Sequence, residues 1–394
     1  MNILYTSYYS EGYGGAEISL ALAASEIKKL GHNVFIASNE SYSSYGLNTL
    51  TFKKYAKIPI FRFHEEYLSK FLAEIIKEKN IDVVHANDRL TAVAAVLAAK
   101  RCGVPILVHV RDYWFACPKS TMLRRDLKQC DGCGLKELYN CSTPKRFLWD
   151  AYKAIYLKRA RKILKTADVA IAASSAVLEK LLRFGFENAT IVQNPISQMI
   201  AKTQTDYKKK FGLKNTVVTF IGTLDYNKGI TELLDVAEQI INQKNTCLFI
   251  IGSGPLEKEL RATVKEKGIE NNVVFTGSVP HSEMANVYAA SDIVAVPSLW
   301  AEPFGRVAAE AMCAGKPVLA SDIGGLKDIV SEEFRIPVFD KDMWHNKLNA
   351  LIGSKNALIQ IGKRNKKQAE QYAPGRIAGQ LVKIYREAID AKSK

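Results

Sequence analysis

The sequence has no long hydrophobic run. Its longest apolar stretches, such as Thr91 to Ala99 and Thr246 to Ile251, fall far short of the roughly 18 to 20 residues that a membrane-spanning helix needs. It also lacks a secretory start. Residues 1–20 carry Gly12, Gly14, Gly15 and Glu17 where a basic segment and an apolar one would stand, and a cytoplasmic protein is expected. Short-period repeats and low-complexity tracts are absent too. Acidic residues are the scarcer charge: 40 Asp and Glu against 55 Lys and Arg leave a formal +15. The excess is uneven, with 28 basic and 18 acidic residues in 1–195 against 27 and 22 in 196–394. Nucleic acid, an anionic membrane face and a phosphorylated substrate all answer to such a field, so charge alone does not choose among them.

What is present is a globular chain. With 394 residues, 47% hydrophobic and 24% charged, it exceeds the roughly 250 to 300 residues at which a single core stops growing, and two domains are expected. Short β-branched runs alternate with helical patterns: Ile3–Ser7, Ala16–Leu30, Val34–Ala37, then Asp82–His85, Thr91–Arg101, Ile106–Val110 and Val169–Ala172. After Asn194-Pro195 the alternation begins afresh at Val217–Ile221 and runs to Ile293–Val296. Two successive doubly wound α/β units follow. The expected division is 1–195 and 196–374, with the polar stretch Lys202–Lys210 near the join.

Open α/β sheets bind ligands at the carboxyl ends of their strands, so loops after strands carry the information. Ser10–Glu17 (SEGYGGAE) follows the first strand and opens a helix, where free N–H groups suit an anion; the alternative is a turn without a ligand. Gly252-Ser253-Gly254 also follows a strand, but Glu257 stands where a dinucleotide fingerprint wants its third glycine, which weakens a nicotinamide reading. The most informative run is Ser298–Pro317. Pro303 suits the first position of a helix and leaves Glu302 at its mouth. On that reading Glu310 lies about 12 Å further along the axis, too far for the close dyad of a retaining glycosidase. The two carboxylates then serve different parts of one elongated ligand, with hydroxyl pairs and phosphate as the groups they suit.

Here the chain resembles the retaining glycosyltransferases of family 4, which have the α/β GT-B fold of two facing Rossmann-like domains. The resemblance rests on EPFGRVAAEAMCAGKPVLAS (Glu302–Ser321), GYGGAE, GTLDYNKG (Gly222–Gly229) and FTGSVPHSEMANVYAASDIVAVPS (Phe275–Ser298). It implies a hexosyltransferase that takes sugar from a nucleotide diphosphate donor with retention and without a catalytic metal, the acceptor being a glycan or glycolipid. By resemblance, the first glycine loop, with Gly15, and Gly252 belong to the nucleotide-sugar site. Glu310 would hold the ribose, and Glu302 with the N–H groups of Phe304 and Gly305 the transferred sugar. Lys228 would neutralise the diphosphate and backbone near Val279 would meet the base. The C-terminal helix 375–394 would cross back onto the first, acceptor-side domain. Two places depart from the family pattern. Thr223 stands where an arginine is usual, leaving Arg306 or Lys316 to compensate. The first domain reads His109-Val110-Arg111-Asp112-Tyr113-Trp114, so Arg111, with His109 as the alternative, falls near the transferred sugar.

Other features stand outside that core. Cys117, Cys130, Cys133 and Cys141 form C-x12-C-x2-C-x7-C, a set that would close a structural zinc around the 112–144 loop; disulfides or free thiols are the alternatives. Lys145–Lys165 holds eight basic residues against Asp150 alone, interleaved with Phe147, Trp149, Tyr152 and Tyr156. It suits either an anionic membrane surface, as a peripheral protein would use, or a helix with a solvated basic face. Asp340-Lys341-Asp342 reads as a solvated turn. The rival functions are a GT-B epimerase acting on a nucleotide sugar and a non-catalytic nucleic-acid-binding protein, the latter disfavoured because no nucleic-acid motif accompanies the charge.

Overall fold

The computed structural model describes residues 1–10, 14–52, 61–199, 205–244 and 246–393. The chain forms two units, Met1–Pro195 with Pro374–Lys394, and Ile196–Ala373.

In the first unit, seven parallel strands among the described residues make one sheet. They are β1 (Asn2–Thr6), β2 (Asn33–Ser38), β3 (Asn48–Thr51), β4 (Val83–Ala86), β5 (Ile106–Val110), β6 (Val169–Ala172) and β7 (Ala189–Ile191), in the order β3-β2-β1-β4-β5-β6-β7. β4, β5 and β6 are buried along their whole length, the signature of strands covered by helices on both faces. The helices are α1 (Gly15–Lys29), α2 (Phe61–Glu78), α3 (Arg89–Cys102), α4 (Leu135–Cys141), α5 (Phe147–Leu164) and α6 (Ser175–Arg183). The apolar stretch Thr91–Ala99 is the buried part of α3. Asp88 caps that helix, accepting from Leu90 N and Thr91 N at 2.7 and 3.0 Å, which fixes the loop after β4.

The second unit holds α7 (Tyr207–Lys210), α8 (Ile230–Lys244), α9 (Glu257–Glu266), α10 (Met284–Ala290), α11 (Arg306–Cys313), α12 (Leu326–Ile329), α13 (Lys341–Leu351) and α14 (Lys355–Ala369). Its parallel strands are β8 (Val217–Ile221), β9 (Cys247–Ile251), β10 (Val273–Phe275), β11 (Ile293–Val296), β12 (Val318–Ser321) and β13 (Arg335–Ile336), in the order β10-β9-β8-β11-β12-β13. Val218, Phe220, Ile250 and Ile293 from the sheet pack with Leu234, Trp344 and Leu348 from the helices. Of the polar stretch Lys202–Lys210, residues 202–204 lie outside the described residues and 207–210 form α7, with Tyr207 buried. Asp340-Lys341-Asp342 is a helix start, Asp340 capping α13 through Met343 N at 2.8 Å.

The last helix, α15 (Pro374–Lys392), belongs to the first unit. Its Ile377, Leu381 and Tyr385 join Ile3, Tyr5, Leu20 and Ile27 in one core cluster. Each sheet reverses its strand order once, between β1 and β4 in one unit and between β8 and β11 in the other. Ligands of doubly wound sheets bind at that reversal.

Candidate functional site

In the second unit the loops after β8, β9 and β11 meet at the reversal. Gly252 takes φ +130°, and a Cβ there would stand 1.9 Å from the Gly222 carbonyl oxygen, so the first two loops pack backbone on backbone. Gly252 N donates to Gly277 O at 2.9 Å, and the Ser253 and Ser278 hydroxyls lie 2.8 Å apart. Val279, half-buried, follows directly.

α11 begins at Arg306, not at Pro303 as the proline rule suggested. Gly305 is its cap at φ +94°, and a Cβ there would come 2.6 Å from the Leu326 side chain. That left-handed residue breaks any helix continuing from Pro303. Glu302 therefore sits in a loop, pinned by Gly325 N donating to its carbonyl at 2.6 Å, and helical rise does not measure its separation from Glu310.

Three donors converge on Glu302 Oε1: Lys228 Nζ at 2.6 Å, Ser298 Oγ at 2.7 Å and Trp300 Nε1 at 3.1 Å. Burial works to raise the pKa of Glu302, but Lys228 and these bonds outweigh it and hold it below the ordinary value. Lys228 also lies 5.1 Å from the Trp300 ring centroid. Glu310 is buried at 4% exposure, yet it too stays below the ordinary value. Burial is more than offset by Arg306, with bonds from His281 and Tyr288. Arg306 Nε is 2.7 Å from its Oε1, His281 Nε2 is 3.3 Å away, and Tyr288 OH donates to Oε2 at 3.0 Å. Sequence reasoning missed His281, Tyr288, Ser298 and Trp300, although all four stand in the runs it had singled out. Lys316 lies past the far end of α11, where its ammonium donates to Ala289 O at 3.4 Å. Of the two proposed substitutes for the missing arginine, Arg306 is the one beside Glu310.

In the first unit an open cavity of about 1260 Å³ lies at the ends of β1, β4 and β5. Its walls include Gly14, Gly15, Glu17, Arg89, Arg111, Asp112, Trp114, Lys119, Arg146 and Lys153. Glu11–Tyr13 of the glycine loop lie outside the described residues. Arg111 is tethered by Asn87 Oδ1 at 2.8 Å and by Asn194 Oδ1. His109, offered above with Arg111, is not among the cavity's walls. It is buried, 3.2 Å from His85 Nε2 and 3.3 Å from Arg111, and burial first, then Arg111, hold its pKa well below the ordinary value. Burial pushes the Asp112 carboxyl up to about 6. A second, mostly apolar cavity of about 670 Å³, between α2, α3 and α5, shares Arg89, Leu90, Trp114, Pro118 and Lys153 with the first. Cys117, Cys130, Cys133 and Cys141 line a third, small cavity together.

Residues 13–198 match the family model Glycosyltransferase Family 4, and residues 202–368 match Glycosyl transferases group 1. The chain belongs to the group 1, family 4 glycosyltransferases. An uncharacterised glycosyltransferase of Methanocaldococcus jannaschii is 25% identical over 84% of each chain. A D-inositol 3-phosphate glycosyltransferase of Corynebacterium efficiens is 32% identical over 45% of this chain and 44% of its own. Anabaena HepE, solved in complex with UDP, superposes with a TM-score of 0.76 at 21% identity, covering 98% of this chain and all of HepE. The glycosyltransferase thus has the α/β GT-B fold. The epimerase and nucleic-acid-binding alternatives find no support in these matches. Among the described residues no helix is long and apolar enough to cross a membrane.

Proposed function

We propose that this glycosyltransferase moves a hexose, with retention of anomeric configuration, from a nucleoside diphosphate donor held by the second unit to a lipid-phosphate-linked glycan held by the first. The donor half rests on the two carboxylates at the strand-order reversal, each kept ionised by its own cation. Glu310 offers the ribose hydroxyls a charged acceptor once they replace the 3.3 Å His281 contact, and Glu302 keeps Oε2 for the transferred sugar, its three bonds being on Oε1. Lys228 and Arg306 meet the diphosphate charge, the N–H groups of Phe304 and Gly305 join Glu302 at the transferred sugar, and backbone near Val279 and Gly252 lies against the base. On this reading the leaving diphosphate needs no metal ion to balance it. The HepE structures with UDP and UDP-glucose favour a uridine nucleotide.

The acceptor half rests on the two adjoining cavities of the first unit. One has a polar wall in which five Arg and Lys stand among four carboxylates and the other is mostly apolar, with Arg89 and Lys153 on both. An amphiphile with its phosphate at those cations and its chain in the apolar cavity satisfies both. α5, which walls the apolar cavity, turns Leu148, Trp149, Tyr152 and Ile155 outward, Leu148 at 84% and Ile155 at 70% exposure, with Lys158, Lys162 and Lys165 exposed beyond them. Such a face suits peripheral contact with an anionic bilayer on the cytoplasmic side. The experiment is transfer from a panel of nucleotide sugars to prenyl-phosphate-linked and water-soluble glycans, with the product anomer read by NMR. Transfer to the lipid-linked glycan with retention is expected. An inverted product, or equal use of the soluble glycan, overturns the corresponding half.

A further inference from the structure

Residues 111–146 connect β5 to α5 with little regular structure: α4, a 3-10 turn at Pro144–Arg146 and one isolated bridge between Leu123 and Gln129. Connections beyond about 12 to 15 residues are uncommon unless something holds them. This one also stores strain. Ser120, Met122 and Leu127 take φ of +62°, +49° and +61°, in the left-handed region that such side chains avoid. Backbone of that kind persists only where its surroundings over-determine it. The apolar anchors Tyr113, Phe115 and Met122 are buried, but residues 124–129 are exposed or half-buried and contribute no core.

Cys117, Cys130, Cys133 and Cys141 all line one small cavity inside this segment, beside Leu123, Gly132 and Leu138. All four are free thiols, and they come from three separate pieces of the loop. We propose that the segment is clipped by a single zinc ion held by these four cysteines as a tetrathiolate. Four thiol protons go to solvent as the four Zn–S bonds form, leaving a complex of charge −2. Lys119 lines the same cavity and offsets part of that charge. As thiols, Cys130 donates to Gly132 O at 2.7 Å and Cys141 to Leu123 O at 3.9 Å, bonds that a thiolate gives up. In this arrangement no group of three or more His, Cys, Asp or Glu among the described residues is set to hold a metal; the ion requires these side chains to turn into the cavity they line. The clip would also steady the first unit's larger cavity, since Trp114, Pro118, Lys119 and Ser120, all within three residues of Cys117, form part of its wall.

The test is metal analysis of the full chain, purified under reducing conditions and without added metal. Close to one zinc per chain is expected, falling at least tenfold in Cys130→Ser/Cys133→Ser, with faster protease cutting inside 112–144. Unchanged melting of the second unit in that variant shows that the chain still folds. Cobalt exchanged into the wild type should give the visible absorption of a tetrahedral thiolate site. A folded wild type without stoichiometric metal, disulfides between these cysteines in the mass of the unreduced chain, or an iron–sulfur absorption band would each overturn the zinc clip.

Discussion

Glu302 and Glu310 differ in their partners, and their variants should differ accordingly. Glu310→Gln keeps the shape but removes the charge that strengthens bonds to ribose, a loss of about 1.5 to 3 kcal/mol. Donor Kd should then rise by roughly one to two orders of magnitude, read by calorimetry. Glu302→Gln also releases Lys228 from its 2.6 Å pair and leaves that ammonium to the donor diphosphate. Turnover should fall by more than donor affinity does, and a variant with wild-type kcat would remove Glu302 from the chemistry. In the first unit, Asp112 titrates near 6 in the folded chain against 3.8 when unperturbed. Its contribution to stability is complete below the lower value and is lost as pH rises through the upper one. Asp112→Asn should flatten the fall in the first unit's melting temperature between about pH 4 and pH 6.5. Both glutamates were legible from their spacing in EPFGRVAAE. Their partners were not, because Ser298 and Trp300 reach Glu302 through a folded loop, and His281 and Tyr288 reach Glu310 from a turn and from α10, tertiary approaches that spacing cannot describe. His109 looked as available as Arg111, since positions two apart along an extended chain read alike until the structure shows that Arg111 alone of the two lines the cavity.

Among the elements, α11 shows how a local rule loses to tertiary packing. Proline at a helix's first position is a sound preference, yet Gly305 lies in the left-handed region against Leu326, and the helix waits for Arg306. Gly305→Ala should strain both the backbone and that contact, lowering the second unit's melting temperature and donor affinity together. α5 was legible as basic and amphipathic, but its sequence did not separate free cations from paired ones. Arg159 holds Glu65 at 2.7 Å, so reversing it would disturb the α2 contact and confuse the result. Lys158, Lys162 and Lys165 are the better set. Their reversal to Glu should weaken co-sedimentation with anionic vesicles in a salt-sensitive way while leaving melting unchanged. Equal binding to neutral vesicles would rule out the electrostatic mechanism. The edge strands β3, β7 and β13 went unread because, partly exposed, they lack the all-apolar run that marks the equally short β6 and β11.

For the whole molecule, the doubled alternation of strand and helix was enough to foresee two parallel sheets, since burial on both faces writes itself into apolar runs. The return of α15 to the first unit came only through family resemblance, and its contacts were beyond it. Tyr385 OH lies 2.6 Å from Tyr5 OH and 2.7 Å from His85 Nδ1, all three groups being buried. Tyr385→Phe leaves two buried polar groups short of a partner, a cost of about 1 to 3 kcal/mol. The first unit should melt earlier and the second unchanged, as scanning calorimetry can resolve. Ile3 and Tyr5 in the first strand share a core with Ile377, Leu381 and Tyr385 in the last helix, which orders events during synthesis. A ribosome finishes every residue of the second unit before it makes α15. The older part of the nascent chain must therefore wait with an apolar face uncovered through the translation of an entire younger domain, and chaperones meet it as the last part to finish folding.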